Sequence, residues 1–201
     1  SGRIWRIMPK GAKQIIPPKI TGASLPQLLN LLKRPEYRYR YWAKREIREM
    51  EPTKVKRALD HWLKNLDTND PRHRHHQVEA MWAYRNVEQS NLQLLEELLQ
   101  CENHNARAAA TRQLRYWHSL SDNGDDLLTR AARDNNGLVR LEAAIACSYI
   151  GTKNAFEALK VVSTQPNEKH LSYAIKTSFG SSPMKKFWDP KDLEETQPLL
   201  F

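Results

Sequence analysis

Glycine is scarce in this chain. Seven of 201 residues are glycine, too few for the many tight turns of an all-β fold. Cysteine is scarcer still. Cys101 and Cys147 lie far apart, with neither CxxC nor CxxCH spacing, which excludes a metal knuckle and a covalently attached haem. Both are expected as buried free thiols. No apolar run approaches the roughly 18–20 residues that span a bilayer, so no membrane insertion is expected. No secretory or transit peptide is visible. The chain opens on Ser1 rather than Met, so a piece of something longer is expected.

Catalytic signatures are missing too. The sequence holds no nucleophile elbow, no Gly-rich phosphate loop, no Ser/His/Asp constellation and no paired-carboxylate signature. The segment "DNGDD" at 122–126 lacks the alternating ligands and bidentate Glu of a calcium loop. It reads as a polar turn leading into a helix. No catalytic residue, no metal and no cofactor is expected, and no enzyme activity in these residues.

Charge and aromatic rings are what the chain does have. Charged residues make up 27% and hydrophobic ones 40%, which suits a thin fold with much surface. The net charge is +9, unevenly placed. Residues 1–75 hold 18 Lys and Arg against 7 Asp and Glu, whereas residues 76–201 hold 14 against 16. Such asymmetry points to an anionic partner or a neighbouring acidic domain.

A period runs through the middle of the chain. Four segments align on an arginine: "YRYWAKREI" at Arg40, "HRHHQVEAM" at Arg74, "ARAAATRQL" at Arg107 and "VRLEAAIAC" at Arg140, spaced by 34, 33 and 33 residues. A degenerate fifth, "KHLSYAIKT", places His170 there. Apolar residues follow in register. Ala43, Val78, Ala110, the pair Ala143 and Ala144, and Ala174 with Tyr173 come three to four residues on. Ile47, Met81, Leu114 and Cys147 come seven on, and Met50, Tyr84, Trp117 and Ile150 ten on. Those offsets describe one face of an α-helix. A second amphipathic segment precedes each copy, at 24–33, 52–66, 90–100, 125–134 and 154–163. Ser24 and Ser90 are expected N-caps, and Asp70-Pro71 the start of the second repeat's second helix. The fold expected is all-α: a right-handed α-solenoid of about five antiparallel helix pairs over residues 23–180, stable only because the pairs stack.

Here the residues resemble a known family. "NNGLVRLEAAIACSYIGTKNAFEAL" resembles a HEAT repeat, with Val139-Arg140, the pair Ala143-Ala144, a short turn and the next helix. "NHNARAAATRQLRYW" resembles the same unit. The segments "YRYRYWAKREI", "HHQVEAMWAYRN", "ARAAATRQLRYW" and "VRLEAAIACSYIGT", in that order, are similar to the HEAT-repeat part of large bacterial extracytoplasmic dehydrogenase-like proteins of planctomycetes and bacteroidetes. In that family a sugar-dehydrogenase-like β-propeller precedes the HEAT repeats and a cytochrome c domain follows. The opening "SGRIWRI" alternates like a half-buried strand and resembles the closing strand of such a propeller. The resemblance implies that 1–22 is a remnant strand and linker; residues 8–22 are also Pro-, Gly- and Lys-rich, as a linker is. Residues 181–201 hold three prolines and no long helical period, and are expected to be a capping segment or linker, with Phe187 and Trp188 covering the last repeat. The resemblance also implies a periplasmic or cell-envelope location, and flanking domains or another protein as partners. The propeller body and any CxxCH are absent, so neither of the family's cofactor sites is in this chain.

Three features compete as candidate sites. The arginine column, Arg40, Arg74, Arg107 and Arg140, is expected to be structural, each guanidinium bonding a carboxylate or carbonyl of a neighbouring repeat. A phosphate-binding track is the functional alternative. The first repeat interleaves Arg38, Arg40, Lys44, Arg45 and Arg48 with Tyr41 and Trp42. It is expected to dock a flanking domain or a protein. Nucleic acid or another polyanion is the alternative, since bases stack on rings beside cations. Finally, His73, His75 and His76 crowd one helix start. They lack the i, i+4 pair and third ligand of a zinc helix, and are expected at an inter-repeat contact.

Overall fold

The computed structural model describes residues 2, 3, 5, 7, 9–11, 16–166 and 168–188. These form eleven α-helices, with no strand among the described residues. They are α1 (Leu25–Leu31), α2 (Tyr37–Arg48), α3 (Pro52–Lys64), α4 (His73–Asn86), α5 (Leu92–Gln100), α6 (His104–Trp117), α7 (Gly124–Ala132), α8 (Gly137–Ile150), α9 (Lys153–Ser163), α10 (Lys169–Phe179) and α11 (Ser182–Lys185). No helix among the described residues is long and apolar enough to cross a membrane.

Local chemistry sets the helix starts. The side-chain oxygens of Asn91, Asn103, Asn136 and Thr152 each accept an amide N–H of the first turn, satisfying donors that the helix itself leaves unpaired. Glu51 does this twice, from Thr53 and Lys54. Ser24 caps α1, and Gln27 Oε1 accepts its backbone N–H at 2.9 Å. The expected cap Ser90 yields to Asn91, whose Oδ1 accepts the Leu94 N–H. At the other end, α8 stops on Gly151, whose φ of +69° suits glycine. A Cβ there would also lie 2.9 Å from Pro183 Cβ.

Packing follows chain order. The helices associate as α1 with α2, α3 with α4, α5 with α6, α7 with α8 and α9 with α10. The second helices also pack in succession: α2 on α4, α4 on α6, α6 on α8 and α8 on α10. One continuous apolar core runs from Ala23 to Met184. Small residues line the tightest contacts, with Ala106, Ala110, Ala143, Ala144 and Ala146 all buried on α6 and α8. Both cysteines are buried and free, and burial pushes the Cys147 thiol up to about 12.

The two ends differ. After α10, α11 packs on α8 and α10. Met184 is fully buried, Phe187 lies 6.0 Å from the Phe156 ring, and Trp188 packs against the core. Residues 189–201 of the expected capping segment lie outside the described residues. So do Ser1, Ile4 and Arg6 of the expected opening strand. Its described residues Gly2, Arg3, Trp5 and Ile7 carry no secondary structure, and Trp5 and Ile7 are exposed.

One expected start is displaced. Helix α4 begins at His73, not at Pro71. Asp70 closes a turn instead: its Oδ1 accepts the Arg72 N–H at 2.7 Å and its carbonyl accepts the His73 N–H at 2.8 Å. The loop 65–72 is longer than the corresponding loops 32–36, 101–103, 133–136 and 164–168. A fixed period of 33–34 residues is therefore broken inside the second pair, with consequences for the arginine column.

Candidate functional site

Three column arginines make one repeated contact. Arg40 Nη1 donates to the carbonyls of Arg34 and Pro35, at 2.7 and 2.6 Å. Arg107 Nη1 donates to those of Cys101 and Glu102, both at 2.9 Å. Arg140 Nη1 donates to those of Asp134 and Asn135, at 2.7 and 2.9 Å. In each case the carbonyls lie six and five residues earlier, so the guanidinium fastens the loop that leads into its own helix. The rest of the group reaches the next pair. Arg107 forms a two-pronged ion pair with Asp134 at 2.7 and 3.0 Å. Arg140 Nη2 reaches the Pro166 carbonyl. Arg40 Nε donates to Glu79 Oε1 at 2.8 Å.

Arg74 does not share this contact. It sits in the first turn of α4 and donates to Gln77 Oε1 and Glu97 Oε1. Burial shows which residue holds the column position. Three and seven residues after Arg40, Arg107 and Arg140 stand Ala43 and Ile47, Ala110 and Leu114, Ala143 and Cys147, all fully buried. In α4 the matching fully buried pair is Ala80 and Tyr84, which places Gln77 in the column. In α10 the position falls to Leu171, followed by buried Ala174 and Ser178, while His170 and Tyr173 are exposed.

The histidine cluster resolves into separate contacts. His76 is buried and its Nε2 lies 3.2 Å from Asp70 Oδ2. His73 Nδ1 lies 3.0 Å from the Asp67 carbonyl. His75 Nε2 lies 3.8 Å from Glu79 Oε1. Burial holds the His75 and His76 rings below the ordinary imidazole range, against the pull of Glu79 and Asp70. Among the described residues, no group of three or more His, Cys, Asp and Glu is placed to hold a metal ion.

Glu79 is the residue that sequence spacing undervalued. Its side chain is 2% exposed and joins two helices, with Arg40 Nε at 2.8 Å on one oxygen and Lys44 Nζ at 2.5 Å on the other. A buried carboxylate between two cations from α2 fixes how α2 sits on α4. Lys44 also lies over the Trp82 ring at 4.9 Å.

Above this pair lies a groove of about 430 Å³ across α2, α4 and α6, lined by cations and rings. Counted from the column position, two places recur. Five residues on stand Arg45, Trp82 and Arg112; eight on stand Arg48, Arg85 and Arg115. All of these except Arg115 line the groove, with Tyr41, Lys44 and Tyr116. Arg45, Arg48, Arg85 and Arg112 are exposed, and none forms an ion pair with a described residue. Lys44 is committed to Glu79, and Arg115 to Glu142 of α8, where it lies under Tyr149 at 5.1 Å.

Of the residues expected at the interaction surface, the groove gathers Tyr41, Lys44, Arg45 and Arg48. Arg40 belongs to the buried column. Trp42 lies beside the groove with Arg45 over its ring at 4.9 Å. Arg38 is exposed and does not line the groove. Trp82, Arg85, Arg112 and Tyr116 were not foreseen. The signal for them was a second arginine row five and eight residues beyond the first. Aligning α4 on Arg74 hid it, because Arg85 then falls eleven residues on.

No family model matches the chain, and comparison with curated proteins finds no match.

Proposed function

We propose that this chain is a non-catalytic scaffold, a right-handed α-solenoid of five HEAT-like helix pairs that holds flanking domains or a partner protein along an extended surface. The observation that carries this reading is the succession of α2, α4, α6, α8 and α10, each packed on the next. The arginine clamps support it: Arg40 to Glu79 ties the first pair to the second, Arg107 to Asp134 the third to the fourth, and Arg140 to the Pro166 carbonyl the fourth to the fifth. Nearest-neighbour contacts of this kind stiffen a repeat stack. A piece of a bacterial cell-envelope protein lying between a propeller and a haem domain is the setting that the sequence resemblance suggests.

Paired spin labels at Arg38→Cys on α2 and Tyr173→Cys on α10 test the scaffold. Four helix spacings of 8–10 Å predict one narrow distance of roughly 30–40 Å. A distance near half of that, or a broad distribution, removes the reading.

A second reading is polyanion binding, nucleic acid included. The four unpaired arginines of the groove favour it, and counterion release would make it strongly salt-dependent.

A further inference from the structure

The groove across α2, α4 and α6 has a chemistry that narrows its ligand. Its free cations, Arg45, Arg48, Arg85 and Arg112, are all arginine, and no described carboxylate lines the groove. Its three rings are already in use. Arg85 lies over Tyr116 at 4.2 Å, Lys44 lies over Trp82 at 4.9 Å, and Tyr41 stacks with Tyr37 at 6.0 Å. Trp82 also packs against the core. Single-stranded nucleic acid needs ring faces open to bases, and each of these rings already has a cation or another ring against it. A guanidinium lying on a ring has its planar N–H donors preorganised for a two-pronged oxyanion contact. What the groove offers is therefore a set of forks for carboxylates, backed by aromatic surface.

Its length fits the same ligand. Three helices set two spacings of 8–10 Å, a span of roughly 16–20 Å. An extended peptide covers that with about five or six residues at ~3.3 Å each. In the polyproline II form of such a segment, with three residues per turn and ~3.1 Å per residue, carboxylates three residues apart share a face and fall about one helix spacing apart. The edges of the groove select as well. The Arg115–Glu142 pair is internally neutralised, whereas Glu79 is shared by Lys44 and Arg40 and leaves one positive charge behind the groove, so the attraction centres on the four free arginines and is reinforced from below.

From this we infer that the groove binds an acidic peptide segment of a partner protein, Asp- and Glu-rich and extended, laid across α2, α4 and α6. The inference rests on the scaffold reading and supplies the chemistry of its partner.

Fluorescence anisotropy on the full 201-residue chain tests it, with labelled hexaglutamate, its glutamine counterpart and labelled oligothymidylate as probes. Hexaglutamate binds at low ionic strength and weakens towards about 0.15 M salt, where the screening length is ~8 Å. The glutamine peptide does not bind, and oligothymidylate binds more weakly than hexaglutamate. Arg112→Glu or Arg85→Glu weakens hexaglutamate by about tenfold or more, the loss expected when a close charge pair becomes a repulsion. Arg38→Glu, the same charge change off the groove, costs about twofold or less at long, screened range. Circular dichroism verifies that each variant is folded. Three results overturn the inference: no hexaglutamate binding at low salt, equal losses from Arg38→Glu and Arg112→Glu, or oligothymidylate binding as tightly as hexaglutamate. A narrow spin-label distance without peptide binding sinks the groove assignment and leaves the scaffold. Peptide binding with a broad distance does the reverse.

Discussion

Arg107 and Arg112 stand five residues apart on one helix and have opposite surroundings. Arg107 is mostly buried, bonds two backbone carbonyls and grips Asp134 with two nitrogens. Arg112 is exposed beside the groove and pairs with no described carboxylate. The same contrast separates Arg40 from Arg48. Identical side chains thus serve two ends, and position along the helix decides which. Near the helix start, a guanidinium meets the carbonyls of the incoming loop and the next pair's acids. Five residues later, at Arg45 and Arg112, and eight later at Arg48, it meets the groove and solvent, whereas Arg115, eight after Arg107, is held by Glu142. One row holds the stack together, and the other stays available.

The sharpest way to break the first row is at its buried hub. Glu79→Ala leaves Arg40 and Lys44 without the carboxylate that both now contact. Removing one partner of a buried ion pair costs about 3–5 kcal/mol. Urea unfolding of Glu79→Ala is expected to show a loss of that order. A loss under about 1 kcal/mol, the surface-pair range, would place the hub outside the forces that seat α2 on α4.

A smaller effect appears with acid. Burial pushes the Asp134 carboxyl up, but Arg107, the Asn136 amide and Arg140 outweigh it and hold it below the usual carboxylate range. A group lowered in the folded state contributes stability above its unfolded value, near ~3.9. That contribution is lost as pH falls through the lower folded value. Arg107→Ala is therefore expected to flatten the stability profile as pH falls below the ordinary carboxylate value of about 3.9. Arg112→Ala, which leaves Asp134 untouched, is expected to keep the parent slope. Parallel slopes for both variants would separate Asp134 from the column.

Much of this was legible in the sequence. Offsets of three and seven residues mark faces that are buried on α2, α6 and α8, where Ala43, Ile47, Ala110, Leu114, Ala143 and Cys147 are fully enclosed, while ten residues on Trp117 is buried and Met50 and Ile150 are partly buried. The start of α1 was readable at Ser24, whereas α5 starts on Asn91 rather than Ser90. The second pair resisted for a physical reason. Its inner loop is longer, Asp70 spends its side chain on a turn, and the helix begins later than the period requires. The arginine that kept the spacing, Arg74, then lies one turn before the column, and Gln77 takes the place. The groove was only half visible. Tyr41, Lys44, Arg45 and Arg48 announce themselves in one dense stretch. Trp82, Arg85, Arg112 and Tyr116 come from two other helices, and only packing brings them to the first set. Glu79 was legible as a residue near histidines, but not as the acid that α2 would need.

Urea unfolding of Arg107→Ala and Arg112→Ala side by side tests most directly whether the two arginine rows differ in kind. Arg107→Ala is expected to lose about 1.5–3 kcal/mol, the range for hydrogen bonds to a charged group. Arg112→Ala is expected to stay within about 0.5 kcal/mol of the parent, as surface changes do. Equal losses, or a larger loss at Arg112, would contradict the division between a row that holds the stack and a row kept free.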